Sequence, residues 1–397
     1  MNLEWLIVGG GIHGVHVAAR LLGEAEVDPK GLRILDPADQ LLSCWRANTA
    51  TTGMTHLRSP VVHHIDSDPW SLDRFAGRRS KRESGLFKAP YNRPALHLFN
   101  SHCDQVIEQF GLADLHLQDR AESCTIDEGG AVVQLAGGQQ IVAQKIVLAI
   151  GAGSRLNWPS WAPKGTQQVC HIFEPGSDAW PSTPQTVAVV GGGISACQVA
   201  LRLVDEGNKV HLISRHALRT HQFDSEPGWL GPKYMAGFSR EQDLGRRRAR
   251  ITEARHRGSV PPDVQRSTRN AIVHGRVHWH QVAVDDLSVG RDGVTLMLAN
   301  NSELSVDRVL LATGYAGGRP GGQLVDALVT SAQLPCAPCG YPVVDSELLW
   351  HPRIYVSGAL AELEIGPVSR NISGARRAAD RMVASVLRQR ASTRKAS

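Results

Sequence analysis

The stretch Trp5-Leu6-Ile7-Val8-Gly9-Gly10-Gly11-Ile12-His13-Gly14 decides the fold. Four apolar residues read as a short buried strand, and the apolar spacing after Gly14 reads as a helix. Between them lies a G-x-G-x-x-G loop. Gly9 permits the tight turn, Gly11 lets the backbone approach a pyrophosphate, and Gly14 lets helix and strand pack closely. The helix N-terminus then offers free N–H groups and the positive end of its dipole to phosphate. One such loop is a weak signal. A second copy, Gly191-Gly192-Gly193-Ile194-Ser195-Ala196, follows Val187-Ala188-Val189-Val190, with Ala196 in place of the third glycine. Two loops, both in strand–loop–helix context, predict two bound dinucleotides. That narrows the field to flavoproteins that exchange electrons with a nicotinamide.

The strands that follow the two loops end differently. Leu32-Arg33-Ile34-Leu35-Asp36 places Asp36 where a carboxylate holds a ribose 2′-hydroxyl, as on the adenosine side of FAD. Lys209-Val210-His211-Leu212-Ile213 runs into Ser214-Arg215-His216, with no acid. A hydroxyl and a guanidinium there suit a 2′-phosphate, so Ser214 and Arg215 favour NADPH over NADH. His216 and Arg219 are further candidates, and a solvated surface arginine is the plain alternative for Arg215.

The repeat extends beyond the loops. Ala131-Val132-Val133-Gln134-Leu135, a Gly137-Gly138 turn and a strand closing on Gly151 follow the first unit; Gly293-Val294-Thr295-Leu296-Met297-Leu298, an Asn300-Asn301 turn and a strand closing on Thr313-Gly314 follow the second. Alternating strands joined by short polar turns predict a β-meander in each unit. The expected architecture is α/β, with two dinucleotide-binding Rossmann-like domains and the NADPH domain inserted in the FAD domain. Residues 1–165 and 313–397 are assigned to FAD and 166–312 to NADPH. The return to the FAD domain is a strand closing on Gly358, then a helix from about Pro367 with Ile372, Ala375, Ala379, Met382, Val383 and Val386 along one face.

Composition sets limits. A chain of 397 residues can form two full cores. It has no apolar run long enough for a membrane span, and its first strand begins too early for a signal peptide. Seven irregularly spaced cysteines fit a reducing cytoplasm. The net charge is +5, and Arg246-Arg247-Arg248-Ala249-Arg250 is the densest basic run. It reads as a solvated helix face, or else as a rim that attracts phosphate; no nucleic-acid module accompanies it. Residues 220–270 lack periodicity and read as an elaborated loop region. Seventeen histidines show no metal-ligand spacing, so no metal is expected.

The two loops, Cys44-Trp45-Arg46 after the acidic strand end, Met54-Thr55-His56-Leu57-Arg58-Ser59-Pro60, His171-Ile172-Phe173-Glu174-Pro175 and Ala312-Thr313-Gly314-Tyr315 together resemble class B flavin monooxygenases. Within that class the likeness is to the bacterial amine N-hydroxylases of the ornithine/lysine group, and it covers most of the chain. The resemblance implies FAD and NADPH as cofactors. It also implies oxygenation of a nucleophilic nitrogen or sulfur of a small metabolite by O2 through a flavin C4a-hydroperoxide. Trp45 and Arg46 are expected near the flavin with Thr313, Gly314 and Gly358, and His56, Arg58 and Asn371 at the reactive side. Arg58 has a structural ion pair as its alternative role, and His56 a structural hydrogen bond. No lysine or glutamine stands between Thr49 and Thr55, where ornithine hydroxylases contact substrate and flavin.

Two other readings share the frame. One is an FAD/NAD(P)H reductase passing electrons to a quinone or protein, the other a flavin-binding sensor without turnover. A disulfide reductase needs a cysteine pair at the flavin. Cys44 stands alone, and the one C-x-x-C, Cys336-Ala337-Pro338-Cys339, follows the second unit.

Overall fold

The computed structural model describes residues 2–77, 85–153, 155–176, 180–291 and 293–396. The strand Asn2–Val8 is buried over its last four residues, as expected for a strand covered on both faces of a parallel sheet. It pairs in parallel with Leu32–Asp36 on one side and Gln140–Leu148 on the other, so that Val8 lies level with Leu35 and Leu148. The full order across the sheet is Leu349–His351, Ile354–Val356, Gln140–Leu148, Asn2–Val8, Leu32–Asp36, His116–Gln118. The antiparallel strands Ala121–Ile126 and Ala131–Leu135 run onto Gln140–Leu148 as the expected meander. Trp5 and Tyr355 are fully buried at its centre with ring centroids 5.6 Å apart. Each fully buried Leu or Ile side chain in this core contributes roughly 1.5–3 kcal/mol.

The second sheet is all parallel, in the order Val277–Gln281, Lys209–Ser214, Thr186–Val190, Arg308–Leu311, Val169–His171. Helices Ile194–Asp205 and Pro262–Val273 cover one face through Val187, Val189, Val210 and Leu212. A separate meander, Val284–Val289, Val294–Leu298 and Glu303–Val306, covers the other through Ala188, Ile213, Val309 and Leu311.

The strand Ile354–Val356 joins the first sheet beside Gln140–Leu148, so the chain leaves that sheet, builds the second and returns. The outward and return segments touch as they cross. Leu156 bridges Tyr315, and Asn157 N–H donates to the Gly314 carbonyl at 2.9 Å. The C-terminal helix Ile372–Ala396 packs on Ile12–Gly23. It starts five residues later than its apolar pattern suggests, because residues 366–371 are folded into successive turns.

Residues 220–270 differ from the expectation of a loop region. They contain the helices Pro232–Arg240, Leu244–Ala254 and Pro262–Val273. The Leu244–Ala254 helix buries one apolar side chain, Ile251, so there is no apolar stripe to read. Its contacts are ionic instead: Arg247 pairs with Glu364 at 3.1 Å and Arg248 with Glu362 at 2.9 Å. The basic run is therefore only partly a solvated face.

Candidate functional site

Both glycine loops sit where their strands end. Gly9 has φ +116°, and a Cβ there would lie 2.6 Å from the Ala149 carbonyl oxygen; at Gly14 it would lie 1.7 Å from the Gly9 carbonyl oxygen. Gly11 caps the helix Ile12–Gly23 with no side-chain bond and has open space around its Cα. The first loop is therefore tight against its own sheet and clear on the side where a pyrophosphate would approach. Gly191 repeats this at φ +156°, with its Cβ position 2.4 Å from the Ala312 carbonyl oxygen. Gly193 caps the helix Ile194–Asp205, and Ala196 is fully buried. Asp36 stands at its strand end as expected. Its carboxylate accepts Gly10 N–H at 2.7 Å and Ala38 N–H at 2.9 Å, which leaves acceptor lone pairs for a ribose hydroxyl.

Between the two sheets lies a cleft of about 1350 Å³. Its walls include Ala149–Ala152 and Gly358 from the first sheet's strand ends, and Val190–Ser195, Ile213–Arg215 and Ala312–Ala316 from the second. Ligands bind at this edge of open α/β sheets, and the volume exceeds what one small molecule requires. Six arginines line it (Arg58, Arg215, Arg219, Arg255, Arg257 and Arg370), and among the described lining residues Asp224 is the one acid. Such a cleft focuses a positive field on polyanions.

The individual residues divide. Ser214, Arg215, Thr313, Gly314, Gly358, Arg58 and Asn371 all line the cleft. Arg215 is exposed, while Ser214 Oγ donates to the His216 carbonyl at 3.0 Å and accepts Trp279 Nε1–H at 2.9 Å. Among the described residues Arg58 makes no ion pair. It donates to the backbone carbonyls of Gln222 (2.8 Å) and His221 (2.9 Å) and to Ser259 Oγ (2.8 Å). Burial pushes its pKa down to about 10, with Asp224 partly opposing. Arg58 thus clasps the second domain's loops from the first domain. Asn371 donates to Asp224 Oδ1 at 2.9 Å.

Eight expected residues lie outside the cleft lining: Gly9, Gly11, Gly14 and Asp36 of the first loop and its strand end, the buried Ala196, and His56, Trp45 and Arg46, which have partners elsewhere. His56 bonds the Gly85 carbonyl at 2.7 Å, and its pKa is lowered, chiefly by burial. It occupies an isolated bridge with Ala95, which turns it toward its own loop. Trp45 Nε1–H donates to Asn100 at 3.0 Å, its ring packs on Phe99, and Arg46 pairs with Asp104. Trp45 and Arg46 therefore brace the helix Leu96–Gln109 against Ser43–Thr52.

The pattern reading passed over His13, because position five of G-x-G-x-x-G is unspecified. His13 lines the cleft and bonds Ser357 Oγ at 2.8 Å. Burial pushes its pKa down to about 4, against contacts with the Arg370 and Asn371 backbone, so the ring is neutral. In the segment 362–367, which the sequence places ahead of the long helix and near the flavin ring, Glu362 is buried, and its carboxylate receives Arg370 bidentately (2.7 and 2.9 Å), Arg248 (2.9 Å) and Arg255 (3.2 Å). Arg255 and Arg370 reach from this cluster to the cleft.

The helix Pro262–Val273 is tied to the segment 87–94 through Asp263, which pairs with Lys88 at 2.7 Å and with the buried Arg93 at 2.9 Å. Burial alone would raise the Asp263 carboxyl, but the bonds from Arg93 and Lys88 outweigh it and hold it below the ordinary aspartate value. Asp263→Asn is expected to cost about 3 kcal/mol by leaving Arg93 buried without its counter-charge. Because the folded carboxyl is depressed, its contribution is complete above the ordinary aspartate pKa and is lost as pH falls below about 4. Denaturant unfolding of both proteins at pH 7 and at pH 3 checks this: the gap between them should narrow in acid.

Residues 6–153 match a family model described as FAD-NAD(P)-binding, and residues 87–245 one described as pyridine nucleotide-disulphide oxidoreductase. No curated protein matches the sequence. Among solved structures, the ornithine N-hydroxylase of Kutzneria sp. 744, with reduced FAD, NADP+ and L-ornithine, aligns over 98% of this chain and 100% of its own with a TM-score of 0.79 at 16% identity. The ornithine hydroxylase of Pseudomonas aeruginosa aligns over 97% and 99% at 0.77 and 18% identity. The cadaverine monooxygenase of Erwinia amylovora aligns over 97% and 94% at 0.74 and 16% identity. These likenesses span 97–98% of the chain and show that it shares the fold of these enzymes, with an FAD-NAD(P)-binding model matching its first part.

Proposed function

We propose that this protein is an FAD- and NADPH-dependent monooxygenase that oxygenates the nucleophilic nitrogen of a small amine, with thioether sulfur as the related alternative. The observation that carries the reading is that a single cleft collects the strand ends of both sheets, so that two dinucleotides would meet nicotinamide to flavin. Gly9, Gly11, Gly14 and Asp36 would hold FAD; Gly191, Gly193, Ala196, Ser214 and Arg215 would hold NADPH. Residues 1–165 with 313–397, and 166–312, are the corresponding domains. Bound FAD would supply oxygen activation and NADPH the hydride. The chain's own part is to orient both and exclude water. Arg58 keeps the rim closed, neutral His13 and Gly358 pack where the flavin edge would lie, and Asn371 and Arg370 offer donors at the same end. Cys336 and Cys339 lie outside the cleft lining, which weighs against disulfide reduction. The amine substrates of the ornithine hydroxylases and the cadaverine monooxygenase support a primary amine here. Among the described residues no helix is long and apolar enough to cross a membrane.

The test is stopped-flow absorption of the FAD-loaded protein, reduced with NADPH and mixed with oxygenated buffer in the presence of a panel of small amines. A transient spectrally distinct from oxidised flavin, prolonged by NADP+, is the expected result. Direct return to oxidised flavin with every amine, together with rapid turnover on a quinone, would replace this reading with electron transfer. Arg215→Ala is expected to raise the KM for NADPH roughly tenfold, the loss of one charge-assisted bond of ~1.5 kcal/mol, and to leave the KM for NADH unchanged. An equal effect on both coenzymes would remove Arg215 from the 2′-phosphate site.

A further inference from the structure

The sequence shows no metal-ligand spacing, but two loops at the cleft rim bring three ligand-type side chains together. The short strands Arg219–Thr220 and Ser259–Val260 pair in parallel, and the loops beyond them are tied by backbone bonds. His221 N–H donates to the Val260 carbonyl at 3.1 Å, and His256 N–H to the Asp224 carbonyl at 2.8 Å. These bonds stack the His221 and His256 rings at 3.7 Å with a 10° interplanar angle. Glu226 completes the group, its Oε1 3.2 Å from His256 Nε2. One donor atom from each of the three lies within 4.8 Å of the others.

We propose that His221, Glu226 and His256 form a binding site for a divalent metal ion of the zinc type. Two imidazoles and one carboxylate are the donor set that zinc takes with three protein ligands, leaving a fourth position for water or a ligand. Tetrahedral zinc with bonds near 2.0–2.1 Å places its donors about 3.3 Å apart, closer than the 4.8 Å limit met here, so binding requires the stacked rings to turn and aim their nitrogens at one point. The two rings are half-buried on backbone fixed by β-pairing, and Glu226 is exposed and reaches in from solvent. The charge nearby is mixed: Arg255 pairs with Asp224 and shares Glu362 with Arg248 and Arg370, while Arg58, bonded to the His221 and Gln222 carbonyls, and Arg257 add positive charge that the Glu226 carboxylate has to offset at the ion. Of the three, His256 lines the cleft wall, beside Arg257 and Gly258. An ion there would lock together the two loops that Arg58 clasps and that Asn371 holds through Asp224. Zinc would therefore act on access to the cleft rather than on the redox step.

The test is calorimetric titration of the full-length protein, stripped of metal with a chelator, with zinc chloride, and in parallel with cobalt(II) as a spectroscopic probe. One ion per chain is expected, with tetrahedral cobalt bands and no thiolate charge-transfer band. Affinity should fall at least tenfold in His256→Ala and in Glu226→Gln, with the thermal midpoint and FAD content of both variants unchanged. Absence of binding to the wild type would overturn the proposal. So would unchanged affinity in a His221→Ala, His256→Ala double variant, or thiolate bands placing the ion on the exposed Cys336 and Cys339.

Discussion

Gly14→Ala is expected to weaken FAD binding at least roughly a hundredfold, so that the protein purifies largely colourless. The added Cβ would lie 1.7 Å from the Gly9 carbonyl oxygen and 3.0 Å from the Gly9 carbonyl carbon. Both are backbone atoms, so no side chain can swing away. Either the helix Ile12–Gly23 backs off its strand or the Gly9 peptide turns, and each displaces the N–H groups that would meet the pyrophosphate. A forced insertion of this kind costs ~1–3 kcal/mol, occasionally more, and a hundredfold loss of affinity corresponds to about 2.8 kcal/mol. The second loop supplies the control. Its third position is already alanine, fully buried and accommodated, so Ala196→Gly should leave NADPH use within about twofold of wild type, since an exchange of this size in a well-fitted site costs little. Fluorimetric titration of apoprotein with FAD measures the first effect and steady-state KM for NADPH the second. Wild-type FAD affinity in Gly14→Ala would mean that the close packing of helix on strand does not set the cradle.

The contrast between the two loops shows what could be read in advance. Loop glycines, the acid at Asp36 and the meander after Gly130 are local signals: each depends on residues a few positions apart. They place both sheets and the carboxyl edge where the cleft lies. The end of the C-terminal strand was equally legible, because Gly358 closes an apolar run and takes a φ of +63°. The helix Leu244–Ala254 was not legible, since it docks by arginine stems and ion pairs and carries almost no apolar periodicity. Side-chain partners were the least accessible. Arg58 meets carbonyls 163 and 164 residues away, so the motif around it could suggest a site without showing that its guanidinium is occupied in holding the rim. The partners of Trp45 and Arg46 were hidden for the same reason: Asn100 and Asp104 lie over fifty residues distant and draw both side chains toward a helix. His221, Glu226 and His256 meet only because two remote dipeptides pair as strands.

Glu362→Gln tests a buried carboxylate that holds three arginines. The Glu362 side chain is 1% exposed and receives three guanidiniums, while Arg370 also donates to Tyr341 Oη at 2.9 Å and Arg248 lies 3.8 Å over the Tyr341 ring. Burial works to raise the Glu362 carboxyl, but the bonds and charge of Arg370, then Arg255 and Arg248, outweigh it and hold the pKa below the ordinary glutamate range. Glutamine keeps the shape and removes the charge, leaving three partly buried cations facing one another. The expected cost is ~3–5 kcal/mol, read as a fall of roughly 4–6 °C in the thermal midpoint. A folded carboxyl depressed below its unfolded value contributes stability that is complete above the unfolded pKa and lost as pH falls through the folded one. Wild type should therefore lose stability more steeply than Glu362→Gln below about pH 4.3, and the two curves should converge. The double variant Glu362→Gln, Arg370→Met should recover part of the loss, because it removes one of the uncompensated charges; additive costs would show that the two residues do not act as a pair. Arg255 and Arg370 extend from Glu362 into the cleft, so the same substitution should loosen the wall where the flavin and substrate would meet. It should raise the KM for the amine more than the KM for NADPH, whose expected contacts at Ser214 and Arg215 lie on the other sheet.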